Sequence, residues 1–190
     1  MQSVIAAVFL LLASQAVSAQ ICQAPKSEQV FYLTSGMADF FVANDFDQGK
    51  ILIVFKSDNG VGDHWSIVDI VSGITYINTV EKGCVYRQFS QEQNEIFYQC
   101  LPDDASLERS GDVDFYYMTR PEFTWLVGMK PVEGTEFYFR HFSRFYDENV
   151  VDKEITFGVT YKYSLGISDP TIFDKDLSVC VEAPLGQQSY

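Results

Sequence analysis

The hydrophobic and polar positions of this chain alternate with a two-residue period in many short stretches. The clearest stretch is residues 154–165, EITFGVTYKYSL. Its apolar positions are Ile155, Phe157, Val159, Tyr161 and Tyr163. Because successive side chains of a strand point to opposite faces, this pattern predicts a strand with one buried and one solvated face, as in an antiparallel sheet.

Other runs rich in Phe, Tyr, Val and Ile predict further strands. They cover residues 29–33, 39–43, 50–56, 64–71, 74–78, 85–89, 96–100, 115–119, 123–130 and 136–142. Residues 50–56, KILIVFK, contain an unbroken apolar run, which predicts a strand buried on both faces. No stretch after residue 19 has a long 3.6-residue apolar period. We therefore predict one mostly β domain over residues 20–190, with few and short helices.

Residues 166–180, GISDPTIFDKDLSVC, predict a turn that ties the C-terminus to the body of the fold. Ser168 or Asp169 can accept hydrogen bonds from backbone N–H groups, and Pro170 suits a first helical position. A single helical turn through Phe173 is therefore expected, with Phe173 pointing inward and Cys180 locking the turn.

Residues 1–19 predict a secretory signal peptide, because they are apolar, short and end in the small residues V-S-A. The mature chain would then begin at Gln20. No second apolar segment and no anchor signal follow, so we expect an extracellular protein without a transmembrane anchor.

Four cysteines follow the signal: Cys22, Cys84, Cys100 and Cys180. In an oxidising compartment an even number of cysteines predicts two disulfides, for which three pairings are possible. Zinc ligation is disfavoured, because the cysteines lie far apart in sequence and no CxxC pair occurs.

The chain carries a formal net charge of −13, which disfavours nucleic acid and anionic membranes as partners. Residues 91–114 contribute much of this charge and are typical of a solvated loop. Loose association with Ca²⁺ is the alternative, because carboxylates are its preferred ligands. The weak candidate ligands are Asp103, Asp104, Asp112 and Asp114. The turn DFDQG, residues 45–49, resembles a calcium loop only superficially and predicts a hairpin turn, because Lys50 and Lys56 stand where the glycine and glutamate are required.

The sequence contains no recognisable catalytic constellation. His64 and His141 each lie in a strand-like run, and neither GxSxG nor HExxH occurs. The chain also lacks a glycine-rich phosphate loop. We therefore expect a non-catalytic protein.

The unusual feature of the composition is its aromatic content, with 16 Phe, 11 Tyr and 2 Trp. Some of these rings must fill a core, but their number also allows a second use as the lining of an apolar cavity. The candidate lining residues are Trp65, Tyr76, Phe115, Tyr117, Trp125, Phe137, Phe139, Phe157 and Tyr161.

Several motifs resemble the ependymin family of secreted proteins. They are the Cys-x-x-Pro of Cys22 to Pro25, the hairpin from Trp65 to Tyr76 with Asp69 and Gly73, Trp125, and the C-terminal block of residues 166–170 with Phe173 and Cys180. The C-terminal block is the most specific of these. A departure from vertebrate members is that no Asn here is followed by Ser or Thr two positions on.

The resemblance implies a fold similar to bacterial lipoprotein-carrier proteins, with curved antiparallel sheets, as a half-barrel or sandwich, around a hydrophobic pocket. It also implies a homodimer, a lipid or other hydrophobic ligand, and a disulfide between Cys84 and Cys180, which leaves Cys22 to pair with Cys100. The leading hypothesis is thus a secreted lipid-binding protein. The alternative is a matrix or cell-adhesion protein that acts through an acidic, calcium-associating surface.

Overall fold

Twelve strands form a single curved sheet in the computed structural model, which describes residues 20–33, 39–55, 64–89, 97–120, 123–147 and 154–183. The strands are β1 (Lys26–Leu33), β2 (Asp39–Asp45), β3 (Lys50–Phe55), β4 (His64–Asp69), β5 (Ile74–Thr79), β6 (Gly83–Gln88), β7 (Ser106–Ser110), β8 (Val113–Thr119), β9 (Phe123–Pro131), β10 (Tyr138–Asp147), β11 (Glu154–Leu165) and β12 (Val181–Glu182). The order across the sheet is β12-β6-β5-β4-β3-β2-β1-β11-β10-β9-β8-β7. Among these twelve strands, β12 alone pairs in parallel, with β6. The predicted mostly β, antiparallel fold is confirmed, as one open sheet. The predicted signal peptide lies outside the described residues.

Side chains of the turn residues define the tight hairpins. Asp45 accepts hydrogen bonds from the backbone and side-chain N–H groups of Gln48 at 3.1 and 3.0 Å, and Gly49 closes the β2–β3 turn with φ +64°. Asp69 accepts from the backbone N–H of Ser72 at 3.0 Å in the β4–β5 turn. The DFDQG segment is therefore a hairpin turn, as its sequence predicts.

The first half of the sheet, β1 to β6, is apolar on both faces. We call the face that carries Phe31, Val42, Ile51 and Val68 the front face, and the opposite face the back face. On the back face, Ala43, Leu52 and Ile67 form a second buried cluster. The unbroken apolar run of β3 is thus buried on both sides, as predicted.

Residues 166–183, here called the strap, cover the back face of this half. Asp169 caps the 3₁₀ helix Pro170–Phe173 by accepting from Thr171, and Phe173 is only 5% exposed, packed among Ala43, Leu52 and Ile67. A second 3₁₀ helix, Leu177–Val179, is capped in the same way by Asp176. The predicted helical turn and the inward position of Phe173 are confirmed.

The core of the second half of the sheet, β7 to β11, lies on the front face. Its buried residues are Leu101, Tyr116, Met118, Trp125, Val127 and Met129. Residues 20–25 and 97–105 lie against this face, where Cys22 forms a bridge with Cys100 and Gln23 forms one with Tyr138.

Buried polar residues separate the two front-face clusters. Gln29, 1% exposed, donates to Gln23 Oε1 at 3.4 Å. Thr160 donates from its hydroxyl to the carbonyl oxygen of Arg140 at 2.6 Å. This polar seam is hydrogen-bonded internally, as buried polar groups must be.

The structure joins Cys84 to Cys180 and Cys22 to Cys100, the pairing that the family resemblance implies. The two bridges hold accessory segments on opposite faces of the sheet. The Cys84 bridge fixes the end of the strap, and the Cys22 bridge joins the two segments that lie on the front-face core of the second half.

Three expectations from the sequence are wrong. The alternation of β11 suggested a buried Tyr161, but Tyr161 is 59% exposed whereas Thr160 is 4% exposed. Tyr161 is the extra residue of a β-bulge where β11 pairs with β1, so the alternation shifts at this position. Residues 97–99 form no strand, and Cys100 makes only an isolated bridge, because this segment crosses the front face as a cover. Strand β7 was expected to be part of a loop, because its sequence, SLERS, is polar. Its backbone nevertheless pairs with β8, and a short, charged strand suits the edge of a sheet.

Candidate functional site

The back face of β1 and β8–β11 carries a continuous group of apolar side chains. Register places them together: Tyr32 opposes Val159, Val159 opposes Phe142, Gly128 lies between Phe142 and Phe115, and Tyr117 opposes Leu126. We call this surface the ring face. It consists of Tyr32, Phe115, Tyr117, Leu126, Phe142 and Val159.

The ring face is accessible to solvent, whereas the front face of the same strands is not. Tyr32 and Tyr117 are 47% and 38% exposed, and the other four side chains are half-buried. On the front face, Val127 and Trp125 are 0% and 2% exposed. The front face therefore supplies the core of this half, and the back face presents an apolar surface.

Gly128 lies beneath the rings of Phe115 and Phe142. A Cβ atom at Gly128 would lie 2.8 Å from the Cβ of Phe142 and 3.3 Å from the ring of Phe115. The two rings meet edge to face, with centroids 5.9 Å apart. The glycine thus lets both rings lie low over the strand.

The apolar surface extends from the ring face towards the strap. Trp65, Val54, Phe41 and Val30 are successive register partners on the back face, and all four are half-buried. Val30 lies two residues before Tyr32 on the same face of β1. At about 4.8 Å per strand, the ring face alone is about 19 Å wide from β1 to β8, enough for an extended acyl chain.

At least four of the candidate lining residues lie on the back face. Phe115 and Tyr117 belong to the ring face. Trp65 and Tyr76 lie on the back face of the first half, where they pack beside the cluster under the strap.

Trp125 lies on the opposite face of the sheet from these four residues. It lies in the front-face core, where its indole N–H donates to Ser143 Oγ at 2.7 Å and the Arg140 guanidinium lies 4.6 Å from its ring centroid. Burial lowers the pKa of Arg140 to about 10, so it stays charged at neutral pH. Trp125 therefore has a packing role.

The remaining candidates lie around the margin of the ring face. Tyr161 donates its hydroxyl to Asp39 at 2.9 Å, and this hydrogen bond raises the pKa of Tyr161. Phe139 stacks on Tyr163 with centroids 4.6 Å apart. Phe137, the residue that precedes β10, is half-buried. Phe157 opposes Arg144 in register, but its side chain lies outside the described part of the structure.

The acidic candidates for calcium lie at the two ends of β7. Arg120 donates to both carboxylate oxygens of Asp104 at 2.9 and 3.1 Å, and Lys130 lies 2.7 Å from Asp112. These cations lower the pKa of both carboxyl groups. Asp103 adjoins Asp104, whereas Asp112 and Asp114 lie at the other end of β7. Within the described ranges, no three His, Cys, Asp or Glu side chains form a metal-binding group.

Four members of the ring face were not among the candidates from sequence: Tyr32, Leu126, Phe142 and Val159. A β-bulge between Arg140 and Phe142 shifts the alternation of β10, so that Phe142 joins the face of Phe115. Simple alternation from Phe137 and Phe139 assigns the wrong residues to this face beyond the bulge. The adjacent pairing of β1 and β11, which brings Tyr32 beside Val159, has no local signal in the sequence.

In the described part of the chain, no helix is long and apolar enough to cross a membrane. No protein-family model matches the sequence, and no curated protein is significantly similar to it.

Proposed function

We propose that the chain is a secreted, non-catalytic binding protein that holds a lipid or another hydrophobic molecule against its ring face. The observation that carries this proposal is the accessible group of aromatic and aliphatic side chains on the back face of strands whose other face supplies the core. Accessible apolar surfaces of this kind mark sites of interaction with ligands, proteins or membranes.

Two further features support the proposal. The motifs similar to ependymins imply a hydrophobic ligand, and the two disulfides suit an oxidising, extracellular location. The signal-like residues 1–19 add to the case for secretion.

A calcium-dependent adhesion protein is the weaker alternative. Asp104 and Asp112 are already paired with cations, so Ca²⁺ would have to displace Arg120 and Lys130. Calorimetric titration with Ca²⁺ separates the two functions, because only the adhesion protein requires binding at extracellular calcium concentrations.

The lipid proposal is tested with a fluorescently labelled fatty acid and two variants of matched exposure. Tyr117 and Phe55 are 38% and 40% exposed, but Phe55 lies on the front face. We expect Tyr117→Ser, combined with Tyr32→Ser, to weaken binding by about tenfold, because contact with two rings is lost. Phe55→Ser should leave the affinity for the fatty acid within about twofold of the wild-type value.

Failure of the wild-type protein to bind the probe, or equal loss in both variants, would overturn the proposal. Sedimentation velocity on the same proteins tests the homodimer that the resemblance implies. If the ring-face variant separates a dimer and still binds the fatty acid normally, the ring face is a subunit contact and not the ligand site.

A further inference from the structure

A cationic side chain, Arg144, lies beside the residues of the ring face. Arg144 follows Phe142 by two residues on β10 and therefore points to the same face, and its register partners there are Leu126 and Phe157. Arg144 is half-buried, and its Nε atom is shielded from solvent. A guanidinium thus adjoins the apolar row of Phe115, Phe142, Val159 and Tyr32 at a distance of about 7 Å along the strands.

The other charged side chains that the structure describes on this face lie at its margin or are engaged by neighbours. Lys130 is paired with Asp112, and Lys162 is exposed beyond the bulge of β11. Asp39 accepts a hydrogen bond from Tyr161, and Glu28 accepts two from Ser168 at 2.8 and 2.7 Å. Glu108, the register partner of Phe115, is exposed on the edge strand.

A guanidinium in this position is suited to the polar end of an amphiphile. It is weakly hydrated, and its planar fork matches a carboxylate with two parallel hydrogen bonds. Arg144 makes an interaction of its own within the fold. Its five N–H donors allow a carboxylate to bind in addition. Because the whole chain is strongly anionic, selection of an anionic ligand requires a local cation of this kind.

We propose that the ligand is a fatty acid whose carboxylate binds Arg144 and whose acyl chain lies across Phe142, Val159 and Tyr32. This inference rests on the proposed function and adds the charge of the ligand and the residue that recognises it.

The test compares laurate with lauryl alcohol, which has the same chain and no charge. Displacement of the neutral dye Nile red measures both affinities in the wild-type protein, in Arg144→Gln and Arg144→Lys, and in the control Arg87→Gln. Arg87 is a half-buried arginine on the front face of β6. Circular dichroism verifies that each variant is folded.

We expect wild type to bind laurate at least about tenfold more tightly than lauryl alcohol, the effect of a charge-assisted hydrogen bond. Arg144→Gln should remove this preference by weakening laurate alone, Arg144→Lys should keep part of it, and Arg87→Gln should keep all of it. Rising salt should weaken wild-type binding of laurate more than that of the alcohol, and this readout does not depend on any variant folding.

Three results overturn the inference and are distinguishable from one another. If wild type binds the acid and the alcohol equally well, the role of Arg144 is refuted while the apolar site stands. If neither compound displaces the dye or binds by native mass spectrometry, the proposed function fails as well. A preference for laurate that survives in a folded Arg144→Gln protein also assigns the recognition to another cation.

Discussion

Replacing Phe173 by alanine tests whether the strap is part of the cooperative fold. Phe173 is the only side chain of the strap that is fully buried among the described residues, and it fills the space between Ala43, Leu52 and Ile67. The strap is also held by Cys180, so the variant leaves the segment attached at its far end while removing its main apolar contact.

The expected loss of stability in this variant follows from the burial of the Phe173 side chain. Truncation of a buried Phe to Ala removes its transfer free energy and leaves a cavity, which together lower the free energy of unfolding by about 3–5 kcal/mol. For a domain of this size, that loss corresponds to a fall in Tm of about 10 °C. Urea unfolding followed by tryptophan fluorescence measures the effect, since Trp65 packs beside the same cluster.

Val179→Ala is the matched control, because Val179 belongs to the same strap but is 63% exposed. Its free energy of unfolding should stay within about 0.5 kcal/mol of wild type. If Phe173→Ala costs less than about 1 kcal/mol, the strap opens independently of the sheet and the reasoning from burial is wrong. Hydrogen exchange at Leu52 and Ile67 would then show the opening directly.

Three further predictions concern the bridge, the caps and the ring face. Replacing Cys84 and Cys180 together by alanine should lower the free energy of unfolding by about 4–5 kcal/mol in the chain-entropy model, because the bridge spans 96 residues, and an unchanged urea midpoint would contradict this. Hydrogen bonds lower the pKa of Asp169 and Asp176, so their stabilisation is present above the ordinary carboxyl pKa and is lost as the pH falls through the lowered values. Tm measured from about pH 6 to about pH 2 should therefore fall less in the double Asn variant than in wild type. Gly128→Ala should lower the free energy of unfolding by about 1–3 kcal/mol, because the new Cβ atom would overlap the Cβ atom of Phe142. A variant as stable as wild type would show that the strands can separate there.

Local signals in the sequence were sufficient to predict most of the fold. Ten runs of β-prone residues were predicted besides β11, and nine of them correspond to strands, because alternation and turn residues act over a few positions. The Asp169–Pro170 turn was predictable for the same reason. Strand β7 was missed because an edge strand needs few apolar residues, and its pairing with β8 is a property of the backbone.

The candidate site was less predictable, because faces are set by pairing between distant strands. A single extra residue at the bulge of β10 changes which side chains join Phe115 on the back face. Likewise, Trp125 could be placed on a strand from its neighbours, but its face depends on where residues 20–25 cover the sheet. Local alternation identifies which side chains share a face only between bulges, and the register decides where the bulges lie and which faces meet.

The two disulfides account for the position of the accessible surface. Cys84–Cys180 holds the strap over the back face of the first half, and Cys22–Cys100 joins segments that lie on the front face of the second half. A curved sheet that is covered on opposite faces in its two halves keeps its apolar side chains from water in each covered region. The back face of the second half has no cover of this kind among the described residues, yet it carries Phe115 and Phe142 where a solvated strand would carry polar side chains. The ligand that we propose would cover these side chains, and their accessible position is the observation on which the proposed function depends.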